Sequence, residues 1–409
     1  MRPDPDTQPL FEFGSDPITP ALKVGKGRPS RSTGQLNYGE WGELYVLLRL
    51  CATGTLDLAD ENERAISGFH LNILEVIRHE SDYRAVRYRR MGSDLGASIQ
   101  VVINDECVAI IPAAEFAAKA NELLLFVAER RRAPFPVPDD LARFLDYAGV
   151  RHYKARSRDK SDIYLCVEDP RSGLVRDSVG YSIKTKWGKV STLFNTARAS
   201  AAQYVLDGMS SELAEEINQI RDASGHVSVT ERCVRMGDAG VEMEFVGFEQ
   251  AKRAGCAAFE ENLDLLDTRL IYVFDAILRA HFLDGEFSGR TTMEAIGSWL
   301  AALNPCGVTR PEVKYPYMLK QFLYSAYCGL TASTLWDGAS NVNGGLLTVS
   351  EKGELMALNA LDGDAFKSYL YRHCFVDYPD TSPAHGDYGY VFQRDGKWMF
   401  KLNFQVRYK

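Results

Sequence analysis

The sequence predicts an α/β (α+β) chain in which a central mixed sheet is flanked by an N-terminal helical and β region and by a C-terminal region that is helical and then β-rich. Three observations predict it. Apolar residues recur at helical spacing from Trp41 to Cys51, and helical patterning dominates from about 250 to 335. Two alternating runs, Asp162–Val167 and Val179–Lys186, read as strands of one hairpin. The last seventy residues alternate in short runs with Asn343-Gly344, Asp362-Gly363 and Asp395-Gly396 as turns.

Residues 1–36 hold prolines at 3, 5, 9, 17, 20 and 29, then Lys23, Lys26, Arg28 and Arg31 among Gly and Ser, which reads as a flexible basic arm. The fold starts at Asn37. Asn37-Tyr38-Gly39-Glu40 resembles a capping box ahead of a helix with Trp41, Leu44, Leu47, Leu48 and Cys51 on one face, and Gly54 ends it. Strands are expected near 70–78, 97–104 and 107–111, and a helix over 114–132 closing on Arg130-Arg131-Arg132. The run Pro134-Phe135-Pro136-Val137-Pro138 is the best linker, so the parts are 1–36, 37–133, 134–250 and 251–409. A short helix at 139–147 and a basic stretch at 151–160 lead to the hairpin. Helices near 195–206 and 210–222 follow, then strands over 226–248. Pro305 and Pro316 should break the C-terminal helices.

With 409 residues, 45% hydrophobic and 25% charged, the chain has the composition of a soluble globular protein with a sizeable core. Its net charge of −8 excludes a basic nucleic-acid binder by totals, so only local charge can argue for such a partner. Eight scattered cysteines form no CxxC pair and seven histidines show no zinc spacing, which suits a reducing cytoplasm. Neither a signal-peptide h-region nor an apolar run of membrane-spanning length is seen, so no membrane association is expected. No GxxxxGK[ST] loop supports an ATP-driven function, and no GxSxG elbow supports a serine hydrolase.

Within the hairpin, Ile163, Leu165 and Val167 should face one side, with Val179, Tyr181 and Ile183 packing inward. That leaves Asp162 near Ser182, Lys184 and Lys186, which point together. An acid and a lysine meeting at a sheet edge suit phosphodiester hydrolysis: the carboxylate holds a divalent metal, and the cation lies near the attacking water. Arg151, Lys154, Arg156, Arg158 and Lys160 precede Asp162, and Lys189 follows Lys186, so this acid is embedded in cations on an otherwise acidic chain. The same charges would equally solvate a loop. Glu43, between Trp41 and Leu44, lies beside the apolar stripe of the first helix, where a glutamate needs a cation or metal partner. In the terminal run Trp398–Tyr408 one face is apolar and the other carries Lys401, Asn403, Gln405 and Arg407 without an acid. Those side chains suit base edges or phosphates, so this reads as a nucleic-acid-facing strand. His385 lies in a loop, where it could contact phosphate.

At these residues the chain resembles the HpaII family of type II restriction endonucleases. The resemblance runs through Gly39-Glu40-Trp41-Gly42-Glu43-Leu44-Tyr45, Ala59-Asp60-Glu61-Asn62, Asp162-Ile163, Gly180-Tyr181-Ser182-Ile183-Lys184-Thr185-Lys186 and Thr192-Leu193-Phe194-Asn195. It continues through Gly329-Leu330-Thr331, Trp336-Asp337-Gly338, Gly344-Gly345 and the terminal Lys401–Tyr408 block, so it covers roughly 37–409. It implies a PD-(D/E)XK restriction-endonuclease-like core that cuts double-stranded DNA with Mg²⁺. Asp162 then matches the metal-binding acid and Lys184 the catalytic lysine. Ser182 stands where the second acid is usual, and the resemblance makes Glu43 the nominee to complete the metal site. It further implies the target 5′-CCGG, a cognate cytosine methyltransferase acting on the same site, and a bacterial cytoplasmic setting. A two-fold target suggests a homodimer, although nothing in the chain marks a dimer face. A structure-selective or repair nuclease and a catalytically inactive DNA-binding protein remain the alternatives.

Overall fold

The structure is a computed structural model that describes residues 35–80, 84–92, 96–130, 133–153, 161–188, 190–252, 254–287, 290–339, 343–359 and 363–408. Leading the fold is α1 (Tyr38–Thr53), followed by β1 (Thr55–Ala59), β2 (Ala65–His79), β3 (Ala85–Met91), β4 (Ser98–Ile103) and β5 (Glu106–Pro112). Helices α2 (Ala113–Ala128) and α3 (Asp139–Tyr147) lead to β6 (Ile163–Asp169), β7 (Leu174–Thr185), β8 (Ser191–Phe194) and β9 (Ala202–Asp207). Next come α4 (Ser211–Gln219), α5 (Val229–Asp238), β10 (Glu242–Phe248), α6 (Ala258–Leu266), α7 (Leu270–Phe282), α8 (Met293–Leu303) and α9 (Pro311–Cys328). The chain ends with β11 (Gly345–Val349), β12 (Leu355–Asn359), α10 (Gly363–His373), β13 (Cys374–Asp377), β14 (Phe392–Arg394), β15 (Lys397–Leu402) and β16 (Gln405–Tyr408).

The main sheet has nine strands in the order β1-β12-β11-β7-β6-β2-β3-β4-β5. It is mixed, because β7–β11 and β1–β12 pair in parallel within otherwise antiparallel neighbours. An extra β1–β2 pairing makes β1, β12, β11, β7, β6 and β2 a closed hydrogen-bonded circuit. Two smaller sheets, β10-β9-β15-β14 and β13-β16-β8, are built from strands that follow β7 in the chain.

The sheet separates two apolar cores, and β11 shows how. Leu347 joins the core made by α1, α2 and the inward residues of the hairpin, whereas its neighbour Leu346 joins the core of the C-terminal helices. Period-two alternation thus buries both faces of one strand against different partners. Helix α1 begins as its sequence dictates. The Asn37 side chain accepts from Glu40 N, Glu40 Oε2 accepts from Asn37 N, and Gly54 closes the helix at a φ of 66°.

Several predicted elements differ. Residues 195–206 are not a helix but a single 3₁₀ turn, Arg198–Ser200, and then β9, whose Ala202, Tyr204 and Leu206 are buried between β10 and β15. Pairing on both edges overrides the helix propensity of the alanines. Within 226–248 the first half is α5, capped by Ser228 and burying Val229, Cys233 and Met236 at helical spacing; only β10 is strand. Helix α2 stops at Ala128, and Arg130 turns back to donate to Phe126 O. Pro305 does separate α8 from α9, but Pro316 lies inside α9, where Tyr315, Met318, Leu319, Phe322 and Leu323 carry the buried stripe past it. Helix α10 interrupts the β-rich end. The Asp395-Gly396 turn joins β14 to β15 with positive φ at both residues, 51° and 76°.

Candidate active site

The hairpin register fixes the first relationship. Ile163 pairs with Tyr181, which places Asp162 across from Ser182, and Asp162 N donates to Tyr181 O at 2.9 Å. Val179, Tyr181 and Ile183 are buried against the α1 core, as the alternation requires. Asp162, Ser182 and Lys184 therefore share the other face. Asp162 Oδ2 accepts from Ile183 N at 2.6 Å. Burial raises its carboxyl above the ordinary carboxylate range, against the opposing pull of the Ile183 amide and the Lys184 ammonium.

Ser182 is hydrogen-bonded with the buried phenol of Tyr327 on α9, which itself donates to Gly345 O. Tyr327 is pushed well above its ordinary value, first by burial and then by its acidic neighbours Cys328 and Asp162. Lys184 reaches toward Cys374, whose thiol feels its charge. Parallel pairing with β11 sets Thr348 beside Lys184 and Leu346 beside Ser182. A glycine permits this packing. A Cβ on Gly344 would come within 2.1 Å of Gly180 O, so the segment entering β11 can press directly on β7. Asn343 secures it by accepting from Gly180 N at 2.8 Å.

The approach to Asp162 is anchored by a buried ion cluster. Glu80 accepts from the amides of Arg151 and His152 and pairs with Arg78 at 3.0 Å; Arg78 donates to the carbonyls of His152 and Tyr153. Both side chains are almost fully buried, so each needs the other. Of the basic stretch predicted before Asp162, Lys154, Arg156, Arg158 and Lys160 lie outside the described residues, as does Lys189.

Glu43 is carried by α1, which packs on the opposite face of the sheet. There, Gly42 abuts Thr185, the neighbour of Lys184 that points the other way; a Cβ at Gly42 would lie 2.1 Å from Thr185 Cγ2. Among the described residues no group of three or more His, Cys, Asp or Glu side chains comes together closely enough to hold a metal ion. The residues brought together are Asp162, Ser182 and Lys184.

Lys401, Asn403 and Gln405 do not form the open polar face predicted above. The run from Trp398 splits at Asn403-Phe404 into β15 and β16, which belong to different sheets. All three residues are buried and serve internal partners. Lys401 Nζ lies 3.1 Å from Glu249 Oε2 and donates to Gly386 O. Asn403 donates to the carbonyls of Ala197 and His385 and accepts from Ser200 Oγ. Gln405 donates to Asp377 Oδ2 at 3.1 Å, and the half-buried Arg407 pairs with the same carboxylate at 2.6 Å. An acid-free polar face on a strand is here the mark of buried groups whose acids come from elsewhere in the chain.

Lys186 stays near the site, half-exposed and paired with Glu63. Sequence reasoning missed Tyr327, Glu63, Arg372 and His373. Arg372 and His373 signalled themselves only as a pair of basic residues closing a helix, which is also what an ordinary helix terminus carries. A cleft of about 480 Å³ opens over the end of β7 and is lined by Lys184, Lys186, Thr348, Arg372, His373 and Tyr408, among others. No helix among the described residues is long and apolar enough to cross a membrane.

No solved structure matches this chain. The type II restriction enzyme HpaII of Haemophilus parainfluenzae is 30% identical to it over 376 residues, which cover 91% of this chain and 98% of that protein. The family model described as HpaII restriction endonuclease matches residues 37–408. The chain therefore belongs to the HpaII restriction endonuclease family, and its enzymatic class is that of a type II site-specific deoxyribonuclease.

Proposed function

We infer that the protein hydrolyses duplex DNA at a defined site with Mg²⁺, that the site is 5′-CCGG, and that β6, β7 and their neighbours are a PD-(D/E)XK core. One observation carries this reading: a desolvated Asp162 and Lys184 share one strand face at the same end of a hairpin, with Lys184 on a cationic cleft. The residues fit the ion. Mg²⁺ takes one or two carboxylates and leaves its other positions to water and substrate phosphate oxygens. Asp162 is such a carboxylate, held in place by the Ile183 amide, while Glu43, the second acid that the resemblance nominates, is carried by α1 on the opposite face of the sheet. Bound Mg²⁺ supplies Lewis-acid polarisation of the phosphate and a lower pKa for water. Lys184 orients the attacking water and offsets the negative charge that develops on the phosphoryl oxygens. Ser182, where an acid is usual, braces the site through Tyr327.

The setting that goes with this activity is a restriction-modification system in a bacterial cytoplasm. A cytosine methyltransferase protects the same sites, and two copies of the chain meet a two-fold target. The test is a plasmid digest with Mg²⁺, run beside EDTA and Lys184→Ala controls. Discrete fragments that vanish in both controls support the reading, and their sequenced ends name the site. Smears, or cutting of branched DNA alone, would mark a repair nuclease. Binding without nicking by folded protein would mark an inactive DNA-binding relative.

A further inference from the structure

Two of the cations that line the cleft over β7, Lys186 and Arg372, are paired with carboxylates from outside its lining. The tight loop between β1 and β2 is built on Asp60, which accepts from the amides of Asn62 and Arg64. Glu63 within it sits at a φ of 58°, in the left-handed region. That turn carries two glutamates across to the cleft. Glu63 pairs with Lys186 and accepts from the hydroxyls of Tyr369 at 2.5 Å and Tyr408 at 3.3 Å. Glu61 pairs with Arg372 at 2.7 Å, and its carbonyl is hydrogen-bonded with the ring of His373. The outcome is a carboxylate only 12% exposed, held by a lysine and two phenols beside a cleft that also presents Lys184. Donors so arranged around one anion match a phosphate oxygen as well as a carboxylate.

We propose that Lys186 and Arg372 form a seat for a DNA backbone phosphate flanking the one that is cut, and that Glu63 and Glu61 occupy these cations until duplex DNA displaces them. The inference rests on the DNA-hydrolase reading, since the ligand is that substrate's backbone. It assigns Arg372 a binding role and gives the β1–β2 loop a purpose that its surface position does not suggest. Lys186 follows Lys184 by two residues, just past the end of β7, and both line the same cleft, so a phosphate held there is near the reacting one. Neutralising Glu63 should free Lys186 and remove a negative charge that opposes the incoming backbone.

The experiment is fluorescence-anisotropy binding of a 5′-CCGG duplex by the full chain in EDTA, across a salt series, for wild type, Glu63→Gln and Arg372→Ala. The expected result is roughly fivefold tighter binding by Glu63→Gln. For Arg372→Ala, binding should weaken, with the salt slope reduced by about 0.9. Circular dichroism establishes that each variant is folded. Glu63→Gln that loses stability and binds no tighter would make Glu63 a brace for Tyr369 and Tyr408 and overturn the proposal. An unchanged salt slope for Arg372→Ala would overturn it equally. Wild type that binds no duplex would overturn the DNA reading itself, and the inference with it.

Discussion

The Ile183 amide donates to Asp162 Oδ2 at 2.6 Å, so the strand that carries Lys184 also holds the acid across from it. One hydrogen bond thus fixes the spacing of two reacting groups, and it does so in a desolvated place. Asp162's carboxyl is raised from its ordinary 3.8, with burial as the main cause. A carboxyl raised by folding contributes stability while it stays protonated, below its unfolded value, and loses that contribution as pH rises through its folded value. At neutral pH the ionised group weighs against the fold.

Asp162→Asn is therefore expected to melt higher than wild type at pH 7–8, by roughly 1–3 °C, while losing activity. The amide oxygen still accepts from Ile183, so the gain reflects charge alone. The difference should fade as pH falls below the ordinary carboxylate value. Added Mg²⁺ should raise the melting temperature of wild type and leave that of Asp162→Asn unmoved. Thermal melts over a pH series, with and without Mg²⁺, measure both. A variant that melts lower at neutral pH would count against the desolvated carboxylate.

Tyr327 gives a prediction about positioning. Its hydroxyl donates to Gly345 O and is hydrogen-bonded with Ser182, all inside a buried contact between α9, β7 and β11. Tyr327→Phe leaves a buried carbonyl and a serine hydroxyl without that partner, at a cost of about 1–3 kcal/mol. Ser182→Ala keeps the bond to Gly345 and should cost less, about 0.5–1.5 kcal/mol. Urea denaturation reads both as a lower midpoint at constant m-value. Equal losses in the two variants would show that the Gly345 bond contributes nothing.

What the sequence disclosed follows from the range of the interactions involved. The first helix was legible because its cap, its stripe and its closing glycine lie within one short segment. The hairpin was legible because alternation and register are local, so Asp162, Ser182 and Lys184 could be placed on one face before any partner was known. Tyr327 could not be found that way, since its bond to Ser182 joins α9 to β7 and no periodicity links them. Glu63 acts on Lys186 from 123 positions away. Alternation also misled at the C-terminus. It reports that a strand has two faces but not that both are buried, and a polar residue satisfied by a distant acid reads the same as one waiting for DNA.

Lys401 puts that correction to a test. Its ammonium lies 3.1 Å from Glu249 Oε2, and the two side chains are 5% and 9% exposed. Arg198 and Arg394 each stand 3.6 Å from the other oxygen of Glu249, so removing Lys401 weakens the compensation of that carboxylate without abolishing it. Breaking a buried pair costs 3–5 kcal/mol, and the two arginines place this case at the lower end, about 3 kcal/mol. Lys401→Ala should therefore lower the denaturation midpoint strongly, while DNA affinity per folded molecule stays at the wild-type value. Lys401→Met, which keeps the packed aliphatic stem, should lose somewhat less. Binding titrations corrected for the folded fraction separate the two effects. A variant with full stability and weakened binding would return Lys401 to the DNA-facing role that its alternation first suggested, and β15 would have to present its polar edge to the duplex.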